Sequence, residues 1–211
     1  MADINVTRPE HGNPLANFLT QHWRPLALIT VAIVVIAAGY AAYVIAGQHS
    51  KGKGMNALGD IIATKTGPER LTALESYLAS APSSVKAAVL LEIARTAQDQ
   101  KAFDKAAKAW AELAAIAPEG TRELAILGQA TALAYGGDKS QAVKILSDFL
   151  PKAPKAFQIV ATRQLAVIAE EAQAWNEALA ANQKLAQADG ADAITKAYYE
   201  AKVAEIKSKI K

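Results

Sequence analysis

Apolar and polar positions follow two different patterns along this chain. From Leu26 to Ala46 there are 21 residues without a charge, LALITVAIVVIAAGYAAYVIA. At about 1.5 Å per residue such a run covers roughly 30 Å, the thickness of a bilayer core. It predicts a single transmembrane helix over residues 25–47, with Tyr40 and Tyr43 towards one end as an interfacial belt. A cleaved signal peptide is the rival reading, but its apolar region normally runs about 7–15 residues. Before the span, residues 1–24 form a polar N-terminal tail in which Asn13-Pro14 suits a helix start and Leu15, Phe18 and Leu19 share a face. After it, residues 48–57 are rich in Gly and Lys and read as a flexible linker. Over residues 58–211 apolar side chains return every three or four positions, the mark of amphipathic helices. The helices fall at about 68–80, 84–98, 102–116, 122–135, 139–150, 155–172, 174–189 and 192–209.

A longer period lies over the short one. Pro82, Pro118 and Pro154 are 36 residues apart, with Gly190 next in the series. The same interval separates Ala106, Ala142 and Ala178, and also Leu58, Ala94, Ala130 and Ala166. It recurs in Ile61, Ala97, Leu133 and Ala169, in Leu74, Trp110 and Leu146, and in Tyr77, Leu113, Phe149 and Leu185. Small residues in both helices of a pair let the backbones approach, large ones fill the space to the next pair, and Pro or Gly resets the chain direction. A plain bundle has the stripes without any need of the recurrence. The period therefore predicts an all-α chain: a transmembrane helix, then an α-solenoid of degenerate helix pairs about 36 residues long. The last helix, with Ala193, Ala197, Tyr198 and Ile206, reads as its C-terminal cap. Thr121 reads as a cap for the helix after it, and Asp138 with Gln141 as a capping box.

Composition narrows the chemistry. There are no Cys, and the three His are His11, His22 and His49. The repeat region thus lacks the residues for a Ser-His or Cys-His nucleophile or a His-rich zinc site. No phosphate-binding glycine loop is present. With 23 Lys+Arg against 20 Asp+Glu, the charge is too balanced for a nucleic-acid surface. The expectation is a protein without catalytic residues, cofactor, metal or small-molecule substrate. Trp110 and Trp175 read as packing between helices.

What remains is contact. In an array of helix pairs the first helices line one face. The positions expected on it are Leu91, Arg95 and Gln98, then Leu124, Leu127 and Thr131, then Val160, Arg163, Val167 and Glu170. Apolar side chains with two arginines suit an extended peptide or a partner helix, the arginines being available for carboxylates.

In the best unit, Leu90, Ile93 and Ala94, then Phe103, Ala106, Trp110, Leu113 and Pro118, resemble the tetratricopeptide repeat. The Trp-x-x-Leu-Gly-x-x-Tyr signature of that repeat is missing and the unit is two residues longer. Tail, span and degenerate repeats together resemble the ancillary SecYEG translocon subunits, the YfgM-like family, most pointedly over Leu71–Leu113 and at Gly39-Tyr40. The resemblance implies a single-pass protein of the bacterial inner membrane with its repeat domain in the periplasm. It implies a Sec translocon and a membrane-anchored periplasmic chaperone as partners, and carries over no catalytic residue. Charge does not choose the side: Arg8 and Arg24 precede the span, and Lys51, Lys53 and Lys65 follow it. An adaptor for another envelope assembly, in secretion, pilus or cytochrome maturation, stands as the alternative.

Overall fold

The computed structural model describes Gln48, residues 50–188 and residues 191–210. The polar tail (1–24) and the expected span (25–47) lie outside these residues, as does Gly190. Among the described residues, no helix is long and apolar enough to cross a membrane. The described chain is helical throughout. Residues 50–64 form α1. There follow α2 (Gly67–Ser80), α3 (Ser83–Asp99), α4 (Phe103–Ile116), α5 (Thr121–Tyr135), α6 (Lys139–Phe149), α7 (Lys155–Glu171), α8 (Trp175–Ala186) and α9 (Ala193–Ile210). Each helix from α2 onward packs chiefly on its neighbour in sequence. This is consistent with an α-solenoid.

The expected period reappears in the backbone. The even-numbered helices α2, α4, α6 and α8 begin at Gly67, Phe103, Lys139 and Trp175, each 36 residues after the last. The turns that precede three of them repeat at the same interval. Lys101, Gly137 and Gln173 all take positive φ, at 59°, 98° and 57°. After each, an N–H reaches back five residues to a carbonyl: Ala102 to Ala97, Asp138 to Leu133 and Ala174 to Ala169, at 2.8–2.9 Å. This is the Schellman ending, which satisfies the orphan carbonyls of the helix before it. The first pair lacks it. There the guanidinium of Arg70 donates to the carbonyls of Ile62 and Lys65 and closes α1 instead.

Alanines set the spacing between helices. Ala94, Ala97, Ala106, Ala130, Ala142, Ala169 and Ala178 have no exposed surface, so neighbouring backbones approach across them. The buried apolar side chains form two clusters that meet at α5. Ala125 and Ala132 belong to the cluster with α2–α4, while Leu127 and Ala130, on the opposite side of α5, belong to the cluster with α6–α9.

Four local expectations are corrected. Residues 50–57, read as flexible linker, are helical, and Gly54 is buried at the junction of α2 and α3. The hydroxyl of Tyr77 donates to its carbonyl at 2.9 Å, and a Cβ there would stand 2.8 Å from Val85. Two glycines weaken a helix locally, but here close packing outweighs propensity. Thr121 lies inside α5, and its cap is Gly120, whose N–H donates to the buried Glu123 carboxylate. Asp138 does cap α6, accepting from the Gln141 N–H at 3.1 Å. α6 gives way to a 3₁₀ turn, Leu150–Lys152, where Pro151 has no N–H to continue the ladder. Finally, α9 does not dock by Ala193, Ala197 and Tyr198, which are exposed; Tyr199, Lys202, Val203 and the buried Ile206 face the protein.

Candidate functional site

A groove of about 440 Å³ lies between α5 and α7. From α5 come Thr131, Ala134 and Tyr135, and from α7 Val160, Arg163, Gln164, Val167, Ile168 and Glu171. The α7 set falls at steps of three and four, hence on one side of the helix. Thr131, Val160, Arg163 and Val167 are thus brought together as the sequence expected. Tyr135 and Gln164 were missed, although each stands four residues beyond an expected member on the same face.

The other expected positions go elsewhere. Leu127 is buried in the core, and Leu91 is half-buried against the first cluster. Leu124 is exposed but does not line the groove, and Arg95 is exposed beside Glu92 at 3.7 Å. Gln98 and Glu170, which share one repeat register, turn towards the second helix of their own pair. Gln98 accepts from the Trp110 indole N–H at 2.9 Å, and Glu170 accepts from the Asn182 amide at 3.0 Å. In each case the partner lies 12 residues further on. These two side chains tie the helices of a pair and do not face the groove.

Trp110 is packing, as expected, and its position depends on Gly128. A Cβ on Gly128 would meet the indole ring at 2.6 Å, so only glycine admits the ring at this point on α5. Trp175 carries the Lys209 ammonium 4.8 Å above its ring.

The groove floor is stitched by hydrogen bonds. The Gln164 amide of α7 donates to the Leu127 carbonyl at 2.9 Å and to the Thr131 hydroxyl oxygen at 2.6 Å, both on α5. At one end Tyr135 stacks on Phe103 with centroids 5.7 Å apart. The walls are apolar and open to solvent: Tyr135 is 71% exposed, Val167 57% and Val160 48%. Glu171 is paired with Lys139 at 3.1 Å. Among the described residues, no carboxylate comes within ion-pairing distance of Arg163.

Beyond α7 a polar cluster fixes α9. Lys202 meets Glu170 at 3.0 Å, and the buried Asn182 bonds both Glu170 and the Ala178 carbonyl. The hydrogen bond to Glu170 holds the Lys202 ammonium above its ordinary pKa. Asp192 accepts from the Thr195 N–H at 2.7 Å at the start of α9, which holds its carboxyl below the usual range.

No protein-family model, curated protein or solved structure matches this chain. The groove offers apolar surface, two hydroxyls, one amide, one guanidinium and one carboxylate. Such groups can make apolar contacts, hydrogen bonds and an ion pair.

Proposed function

We propose that this chain is a non-enzymatic, membrane-anchored interaction subunit, using the α5–α7 groove as its contact site. The observation that carries this reading is the gathering of Tyr135, Val160 and Val167, all largely exposed, along one groove. Contiguous exposed apolar surface in a water-facing domain marks a docking site. The repeated helix pairs support a tetratricopeptide-like domain, whose role is grip. The charge-free run Leu26–Ala46 supports an anchor, which holds the domain near the bilayer and raises its effective concentration for a membrane partner. By its resemblance, the protein is an ancillary component of the Sec translocon in the bacterial inner membrane. Its repeat domain stands in the periplasm and works with a membrane-anchored chaperone on emerging polypeptides.

Photocrosslinking in native membranes tests it. A crosslinking amino acid at Val160 or Val167 is expected to capture a translocon or chaperone component, and one at Lys184 on α8 is not. Capture of a subunit of another envelope assembly moves the protein to the adaptor reading. Identical adducts from all three positions, or none from the groove, removes the groove from the mechanism.

A further inference from the structure

Arg163 stands in a register that carries an apolar side chain in the three earlier units, the exposed Met55 and then leucine twice. Leu91 and Leu127 lie 72 and 36 residues before it, one half-buried and the other buried. In the α7 unit the position is exposed, lines the groove and holds a guanidinium. The carboxylates around it are already engaged. Glu171 is paired with Lys139, Glu170 with Lys202, and Asp192, in the depression on the other side of Arg163, caps α9. Among the described residues, the groove therefore presents a guanidinium with no carboxylate in ion-pairing distance, between two exposed valines.

Spacing says what fits. Val160 and Val167 are two helical turns apart, about 10.5 Å along α7, and Arg163 is one turn from Val160. An extended strand repeats same-face side chains about every 6.8 Å and does not meet both valines in step. A helix lying along the groove does, with residues seven apart. We propose that the groove takes an amphipathic helix of a partner protein. That helix presents two large apolar side chains seven residues apart and a Glu or Asp three or four residues after the first. The apolar pair contacts Val160, Val167 and Tyr135, and the carboxylate pairs with Arg163 in a charge-assisted hydrogen bond. This rests on the groove being the contact site, and it adds the chemistry of the partner.

The test uses the full chain in neutral-lipid nanodiscs, with empty nanodiscs as the blank, and fluorescence anisotropy. The probe is a labelled helical peptide with Leu at positions i and i+7 and Glu at i+3. Its analogue carries Lys in place of the Glu. The Glu peptide is expected to bind saturably and the Lys analogue about tenfold more weakly. In Arg163→Glu the order inverts, a gain of binding for the Lys analogue that an unfolded variant cannot produce. Equal affinity for both peptides, with loss in Val167→Asp, overturns the charge assignment and leaves the groove reading standing. Binding that Val167→Asp does not weaken overturns both. Absence of saturable binding by either peptide overturns the proposed occupant.

Discussion

Single residues carry much of what makes this array regular, and two of them give sharp predictions. Gly128 sits inside a helix, where replacing Gly with Ala ordinarily stabilises by about 1 kcal/mol. Here the new methyl meets the flat of the Trp110 ring at 2.6 Å. Overpacking of that kind costs about 1–3 kcal/mol, so Gly128→Ala is expected to lower stability in urea titration. Trp110→Leu is expected to cost less in the Gly128→Ala background than in the wild type, the coupling that a double-mutant cycle reads. Lys101 and Gln173 hold left-handed backbone, which costs a side chain about 1–2 kcal/mol that glycine does not incur. Lys101→Gly and Gln173→Gly are each expected to raise stability by about 0.5–1 kcal/mol, since the gain exceeds the entropy of freeing the unfolded chain. Unchanged midpoints for both would contradict the Schellman assignment. Residue type does not single out these two turns, because a lysine and a glutamine are not turn residues; only their place 36 residues either side of Gly137 does.

Among the elements, α9 shows where reading by hydropathy fails. Its docked face includes Lys202, whose carbon stem lies against the protein while its ammonium meets Glu170. A pattern search discounts lysine as core-facing and so selects Ala193, Ala197 and Tyr198, a face turned by about one residue. The docking adds this ion pair to the apolar contacts of Tyr199, Val203 and the buried Ile206, and the charges along α9 respond to pH. Glu205 is held below its ordinary value chiefly by a hydrogen bond from Lys209, with Lys202 adding to it, and Asp192 by the Thr195 N–H. Both contributions are complete above about pH 5 and fade as pH falls through the depressed values. Lys202 is shifted the other way, so its contribution is complete below about pH 10 and fades as pH rises through the raised value. Amide protection in α9, corrected for intrinsic exchange at each pH and compared with α3 and α4, is expected to be greatest between those limits and to fall first in α9 on acidification. Both carboxylates face solvent, so the effect is local to α9.

At the scale of the molecule the architecture was legible because spacing survives substitution. The interval of 36 marked the boundaries of the pairs from α3 to α8 and prolines where each pair closes, while α1 was left out of the expected helices. The groove was only partly legible. Val160, Arg163 and Val167 follow from helical periodicity, but Gln98 and Glu170, expected beside them, do not line it. Their positions lie at the edge of the same helical face, and what turns them away is a partner 12 residues on, Trp110 or Asn182. The linker was misread for a related reason: Gly54 looks like freedom in one dimension and is a contact in three. The period itself makes a prediction. Excision of residues 103–138, one whole interval, joins equivalent positions and is expected to leave a helical protein that melts cooperatively at lower temperature. Excision of residues 103–132 breaks the register and is expected to abolish the cooperative melt. Similar melts for the two shortened chains would show that the recurrence does not govern folding.

Asn182 occupies the place where the earlier pairs carry Leu74, Trp110 and Leu146, and it is 1% exposed. A leucine there would greet any further pair with a generic greasy socket. The amide instead donates to the Glu170 carboxylate, whose other oxygen accepts from Lys202 of α9. The chain thereby carries its own full stop. A duplicated module inserted upstream of residue 175 is therefore expected to be accommodated, whereas one behind α8 is expected to need Asn182 replaced first.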